Sequence, residues 1–161
     1  MNKDERTIVI VAGTAEKSKR DIIKNLVEKY PLTYKQAVPH RRRASGASYD
    51  SADKGTSRAL FTALTALKYF VNIRTYSGEV YGISKKSLKH TTHPVIIVGV
   101  SEVSEVEVLR RHIEPNGIKV LALEVTDFPS LGSMSIDVAF NVNSMPVEEI
   151  ANIINILTTA E

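Results

Sequence analysis

The run TIVIVA at residues 7–12 ends directly on Gly13 and is followed by apolar residues at helical spacing, and no other feature constrains the fold as much. An unbroken β-branched run bounded by charge and glycine reads as a strand buried on both faces, because a strand with one face in water would alternate. Ile22, Ile23, Leu26 and Val27 then share one side of a helix over 21–29. Pro31 ends it, since the residue before a proline is pushed out of the α region. Strand, glycine turn and helix, in that order, open a phosphate-binding βα unit.

The pattern returns downstream. PVIIVGV (94–100), IKVLALEV (118–125) and IDVAFNV (136–142) read as further buried strands. A helix over 102–113 turns Val103, Val106, Leu109 and Ile113 inward, and a closing helix over 147–157 does so with Ile150, Ile153, Ile154 and Leu157. Strands alternating with helices imply an α/β fold in three layers, a mostly parallel sheet covered on both faces. Between the first helix and Pro94 the pattern changes. Residues 36–55 are polar and read as loop with short extended pieces. Leu60, Phe61, Leu64 and Leu67 recur at helical spacing over 57–69. The runs 71–76 and 80–82 flank Ser77-Gly78 as a hairpin, and 84–89 reads as a short helix. One domain is expected, with a core of 1–37 and 85–161 and a small mixed α/β subdomain over about 38–84.

Composition narrows the function. The 161 residues hold no cysteine, which removes disulfides, thiolate metal sites and cysteine nucleophiles, and fits a reducing compartment. The first six residues carry charge with no long apolar stretch behind them, and no run approaches the about 18 apolar residues of a membrane span. A cytoplasmic protein with no membrane partner is expected. The net charge of +3 is too small to argue for nucleic acid, and no aromatic platform stands near Arg41–Arg43 to stack bases, so a nucleic-acid partner is not expected either.

The turn after the first strand carries the most specific motif. Residues 13–20 read GTAEKSKR, to be compared with the phosphate loop G-x-x-x-x-G-K-[ST]. Such a loop cradles phosphate with backbone N–H groups, neutralises it with lysine and binds Mg²⁺ through the hydroxyl. Gly13 and Lys19 keep the spacing. Ser18 stands at the second glycine and Arg20 at the hydroxyl. A contracted loop using Lys17-Ser18 as the lysine–hydroxyl pair is a less favoured register, because only three residues separate Gly13 from Lys17.

With that motif, the order of segments resembles guanylate kinase over nearly the whole chain. IIKNLVEKYP (22–31) is similar to the helix after the family's phosphate loop. VPHRRR (38–43) resembles the segment ending in a GMP-phosphate-binding arginine, here Arg43. GASY (46–49) resembles the segment whose tyrosine, here Tyr49, touches the same phosphate. SGEVYGIS (77–84) resembles the hairpin of the GMP-binding subdomain and brings in Tyr81. The resemblance implies a P-loop NTPase-like sheet, a GMP-binding-like subdomain and transfer of phosphate from ATP to GMP.

The departures weigh against transfer. Arg20 puts a cation where the metal-binding hydroxyl belongs. The stretch between Arg43 and Gly46 is contracted, and with it goes a second phosphate-binding arginine. Asn72 and Ile83 replace residues that read the base, and Val98 and Val100 stand where acidic residues approach the metal. Only residues 126–135 connect the third and fourth buried strands, too few for an arginine-bearing lid, so a plain loop is expected there. Phosphoryl transfer depends on positioning and charge neutralisation by metal, lysine and arginines. The sequence therefore reads as a degenerate, non-catalytic guanylate kinase-like binding module. Gly13, Ser18, Lys19 and Arg20 form its phosphate-loop remnant, and Arg43, Tyr49 and Tyr81 its anion cleft. The partner would be a protein, a phosphorylated ligand or a guanine nucleotide. No cofactor is expected; ATP and Mg²⁺ enter only if the chain is an active nucleoside monophosphate kinase.

Each feature also has a plainer reading. Lys19 could be an exposed lysine at a helix start, Arg41–Arg43 a solvated loop, and Tyr49 and Tyr81 packing residues. His90 and His93 lack a third ligand nearby for a metal, and His40 and His112 read as surface residues.

Overall fold

The apolar runs of the sequence become the strands of one sheet. The computed structural model describes residues 6–42, 54–76, 79–89, 93–127 and 134–159. In chain order the elements are β1 (Thr7–Ala12), α1 (Glu16–Lys29), β2 (Tyr34–Gln36), β3 (His40–Arg42), β4 (Lys54–Thr56), α2 (Arg58–Ala66), β5 (Phe70–Tyr76), β6 (Glu79–Ser84), α3 (Lys85–Lys89), β7 (Val95–Gly99), α4 (Val103–Ile113), β8 (Lys119–Thr126), β9 (Val138–Asn141) and α5 (Val147–Thr159). They gather into two compact units, Met1–Gln36 with Thr92–Glu161, and Ala37–Thr91.

The first unit is built on a parallel sheet of order β2-β7-β1-β8-β9. Ile10 of the central strand lies opposite Val98 on one side and Ala122 on the other. Side chains alternate across the pleat, so one strand feeds two cores. Val9 and Val11, with Ile97, Leu123 and Val125, meet Ile22, Ile23 and Leu26 of α1 and Ile150, Ala151 and Ile154 of α5. Ile8 and Ile10 point the other way and are also buried; α4 packs on β1 and β8, burying Val106, Leu109 and Ile113. Each such Ile or Leu contributes about 1.5–3 kcal/mol by leaving water, which is why both sheet faces must be covered.

Leu157 and Tyr34 are among the departures from the sequence reading. Leu157 is 39% exposed instead of buried. The last turn of α5 meets the core through Asn155 and Thr158, which bond the hydroxyl of Tyr34. Tyr34 itself belongs to a strand the sequence did not announce: β2 is short, and Tyr34 is its only fully buried residue.

The second unit has a mixed sheet of order β4-β3-β6-β5, including the expected antiparallel pairing of β5 with β6. Its core is aromatic. Phe61 of α2 stacks on Phe70 with ring centroids 4.8 Å apart. His40, read from sequence as a surface residue, is instead packed edge-on against Tyr69 and Phe70, and its Nδ1 lies 3.0 Å from Thr56 Oγ1. Gly82 has to be glycine, because a Cβ there would come within 2.7 Å of the Phe70 ring. Ser57 caps α2 by accepting a hydrogen bond from the Leu60 amide at 3.2 Å.

Candidate functional site

The carboxyl end of the parallel sheet, where open α/β proteins bind their ligands, is set by Gly13. Its φ is +121°, and a Cβ would fall 2.1 Å from the Val125 carbonyl oxygen. Only glycine lets the chain leave β1 this close to β8. The connection that follows is short: α1 begins at Glu16, not near Asp21 as the spacing suggests. Nothing in EKSKR breaks a helix, and Glu16 in the first turn complements the helix dipole. Ser18, Lys19 and Arg20 therefore lie within the first turns of α1, with Ser18 half-buried and Arg20 exposed.

Lys19 is 4% exposed. Its Nζ donates to the Val100 carbonyl oxygen at 2.6 Å and to Glu16 Oε1 at 2.9 Å. Ser101 Oγ donates to the same Glu16 oxygen at 3.0 Å. One helical turn on, Glu105 Oε2 accepts the amides of Ser101 and Glu102 at 2.9 and 3.0 Å, one half of a capping box that starts α4. Glu16, Lys19, Ser101 and Glu105 thus join the ends of the neighbouring strands β1 and β7. Val98 and Val100 are fully buried beside them. Sequence reasoning singled out Lys19 and missed the other three. The i,i+3 spacing of Glu16 and Lys19 was the available signal, while Ser101 lies too far along the chain to be paired with them.

In the second unit the register sets Arg41 directly opposite Tyr81, and directly opposed residues share a sheet face. Arg41 is buried and Tyr81 half-buried. Ile83 is buried and Asn72, its cross-strand partner at a bulge, is half-buried. Arg43, Tyr49, His90 and residues 128–133 lie outside the described residues. His93 Nε2 lies 3.0 Å from the Pro31 carbonyl oxygen. Among the described residues, no three His, Asp or Glu side chains form a group that could hold a metal ion. No described helix is long and apolar enough to cross a membrane.

A five-stranded parallel sheet between helices in one unit, and a small mixed sheet in the other, make up an α/β fold of the P-loop kinase type. Its particular form is guanylate kinase-like. The structure of guanylate kinase from Anaplasma phagocytophilum matches it with a TM-score of 0.70, over 99% of this chain and 88% of that one, at 14% sequence identity. A structure titled APE1195 matches with a TM-score of 0.52, over 98% of this chain and 97% of the other, at 13% identity. No protein-family model and no curated protein sequence matches the chain.

Proposed function

We propose that the chain is a cytoplasmic, non-catalytic guanylate kinase-like binding module. Its ligand is a phosphate monoester, carried by a guanine nucleotide or a phosphorylated protein. The second unit receives it on the face of Arg41 and Tyr81, with Arg43 and Tyr49 contributing. The observation that carries the reading is the position of Lys19: its ammonium is already bonded to Val100 and Glu16 inside the protein. The rest of the site suits Mg²⁺–ATP no better. Arg20 offers no acceptor to a metal, and Val98 and Val100 are buried hydrocarbon where carboxylates would be needed. A binding module needs none of these groups, and in this reading neither ATP nor Mg²⁺ takes part.

The alternative is an active guanylate kinase, favoured by a fold likeness that covers 99% of the chain. Calorimetric titration with GMP, GDP, a phosphopeptide and ATP–Mg²⁺, beside a coupled assay of phosphate transfer to GMP, separates the two. Binding of GMP, GDP or the phosphopeptide, with no ATP–Mg²⁺ binding and no transfer, is the expected outcome. Turnover of even about 1 s⁻¹, within the ordinary enzyme range, overturns it.

A further inference from the structure

The groups at the carboxyl ends of β1 and β7 are those an arriving phosphate would use: a buried ammonium, a hydroxyl and the start of a helix. In this protein one carboxylate already uses all three. Glu16 Oε1 receives Lys19 Nζ at 2.9 Å and Ser101 Oγ at 3.0 Å, and Glu16 sits in the first turn of α1, where the dipole favours an anion. The exposures order the pair. The Lys19 side chain is 5% exposed and that of Glu16 29%, so the carboxylate is the member of the pair that meets water. A cation that deep is costly to bury without an anion at bonding distance. Glu16 supplies one from the chain itself, at a local concentration no free anion matches.

We infer that Glu16 is an internal counter-anion, an autoinhibitory contact that closes the end of the sheet to phosphate. The inference rests on the non-catalytic reading above and adds its cause. The site is occupied from within as well as short of metal ligands. An external phosphate has to displace a carboxylate held three residues from the lysine it neutralises. Removing the Glu16 charge takes the carboxylate away from Lys19 Nζ and Ser101 Oγ, so that an external anion can take its place beside them.

Wild type, Glu16→Gln, Glu16→Ala and Glu16→Gln/Lys19→Met are titrated with tripolyphosphate in metal-free buffer. Calorimetry measures affinity, and amide resonances of Lys19 and Ser101 locate the binding. The wild type is expected to show no saturable binding there. Glu16→Gln and Glu16→Ala should bind about tenfold or more tightly than wild type, the lower end of what a hydrogen bond to a charged group is worth. Adding Lys19→Met should abolish the gain. Wild-type binding that shifts Lys19 and Ser101 overturns the inference, and so does a folded Glu16→Gln protein that gains nothing. Thermal melts establish folding. If the variants do not fold, the ammonium resonance of Lys19 in the wild type decides: unmoved by tripolyphosphate it supports the inference, and displaced by it the inference fails. Phosphate transfer by the wild type would remove the non-catalytic reading instead, so the two failures are distinguishable.

Discussion

The ammonium of Lys19 donates to the carbonyl oxygen of Val100 at 2.6 Å, tying the first turns of α1 to the end of β7 across 81 positions of sequence. A lysine engaged in this way holds structure together, whereas a lysine waiting for a ligand is costly to keep buried.

Lys19→Met should therefore destabilise the protein. It removes the charge-assisted hydrogen bonds to Val100 and Glu16 and leaves the Val100 carbonyl short of a donor, for an expected loss of about 1–3 kcal/mol. For a domain of this size that lowers the melting temperature by roughly 2–4 °C per kcal/mol. A melting temperature that is unchanged or higher would assign Lys19 to ligand binding instead.

Gly13→Ala should be among the most damaging single changes in the first unit. The residue has φ +121°, and the new methyl would sit 2.1 Å from the Val125 oxygen, with backbone on both sides of the clash. Strain of that kind costs about 1–3 kcal/mol before the overlap is relieved, so the variant should be mostly unfolded or recovered only as aggregate. Chemical denaturation midpoints, or their absence, provide the measurement.

Tyr34 predicts an alkaline signature. Burial pushes its phenol above the ordinary value; the bond with Thr158 acts in the opposite direction, and neighbouring Tyr30 adds a little to the rise. The folded state thus prefers the neutral phenol. Its contribution is complete below about pH 10, where an unfolded tyrosine titrates, and is lost as pH rises through the higher folded value. Tyr34→Phe removes the bond to Asn155 and the contact with Thr158, which should cost about 1 kcal/mol at pH 7–9. Above pH 10 the stability curves of variant and wild type should converge, as followed by urea midpoints at each pH; parallel curves would show that Tyr34 does not titrate with unfolding.

What the sequence made legible was whatever two-sided burial dictates. β1 and β7 are apolar nearly throughout because both faces are covered, β8 is so apart from Lys119 and Glu124, and a run such as TIVIVA has few other uses. The guanylate kinase-like order of segments was legible from short motifs instead, GTAEKSKR and SGEVYGIS above all. The start of α1 could not, because the Gly13–Lys19 spacing suggested a loop while EKSKR is equally good helix; propensity decided, in the absence of a second glycine. His40 and Tyr34 were missed because each is covered by a partner distant in sequence, His40 half-buried against Phe70 and Tyr34 fully buried with α5. The Glu16–Ser101 bond joins residues 85 positions apart and has no local signal at all.

Gly82→Ala tests the second unit on its own. The added methyl would meet the face of Phe70 at 2.7 Å, and Phe70 cannot retreat without disturbing its stack on Phe61. Overpacking of this kind costs about 1–3 kcal/mol. Amide exchange should accelerate in β5 and β6 and stay unchanged in β1 and β8. Equal acceleration in both units would mean that they unfold as one.

The last contrast is between two neighbouring arginines of α4. Arg110 is largely covered and reaches three groups: Glu114, the Ser135 carbonyl and Asp137 Oδ2, the last at 2.9 Å. Asp137 Oδ2 also accepts the Ala122 amide at 2.8 Å, so this arginine links α4, β8 and the approach to β9. Among the described residues Arg111 pairs with Glu107 alone, its neighbour one turn back, and both are well exposed. Water screens the second pair almost completely, and such pairs contribute about 0–1 kcal/mol. Arg111→Met should therefore leave stability within about 0.5 kcal/mol of wild type. Arg110→Met should cost about 1–2 kcal/mol, less than a fully buried network because Glu114 and Asp137 are themselves partly in water. Arg110→Lys should recover only part of the loss, since one ammonium cannot span three acceptors set around a planar fork. Urea midpoints for the three variants, at low salt and again near 1 M salt, check the assignment. The Arg110 effect should persist where the Debye length has fallen to about 3 Å, because short hydrogen bonds to a carbonyl and a carboxylate are not broken by screening.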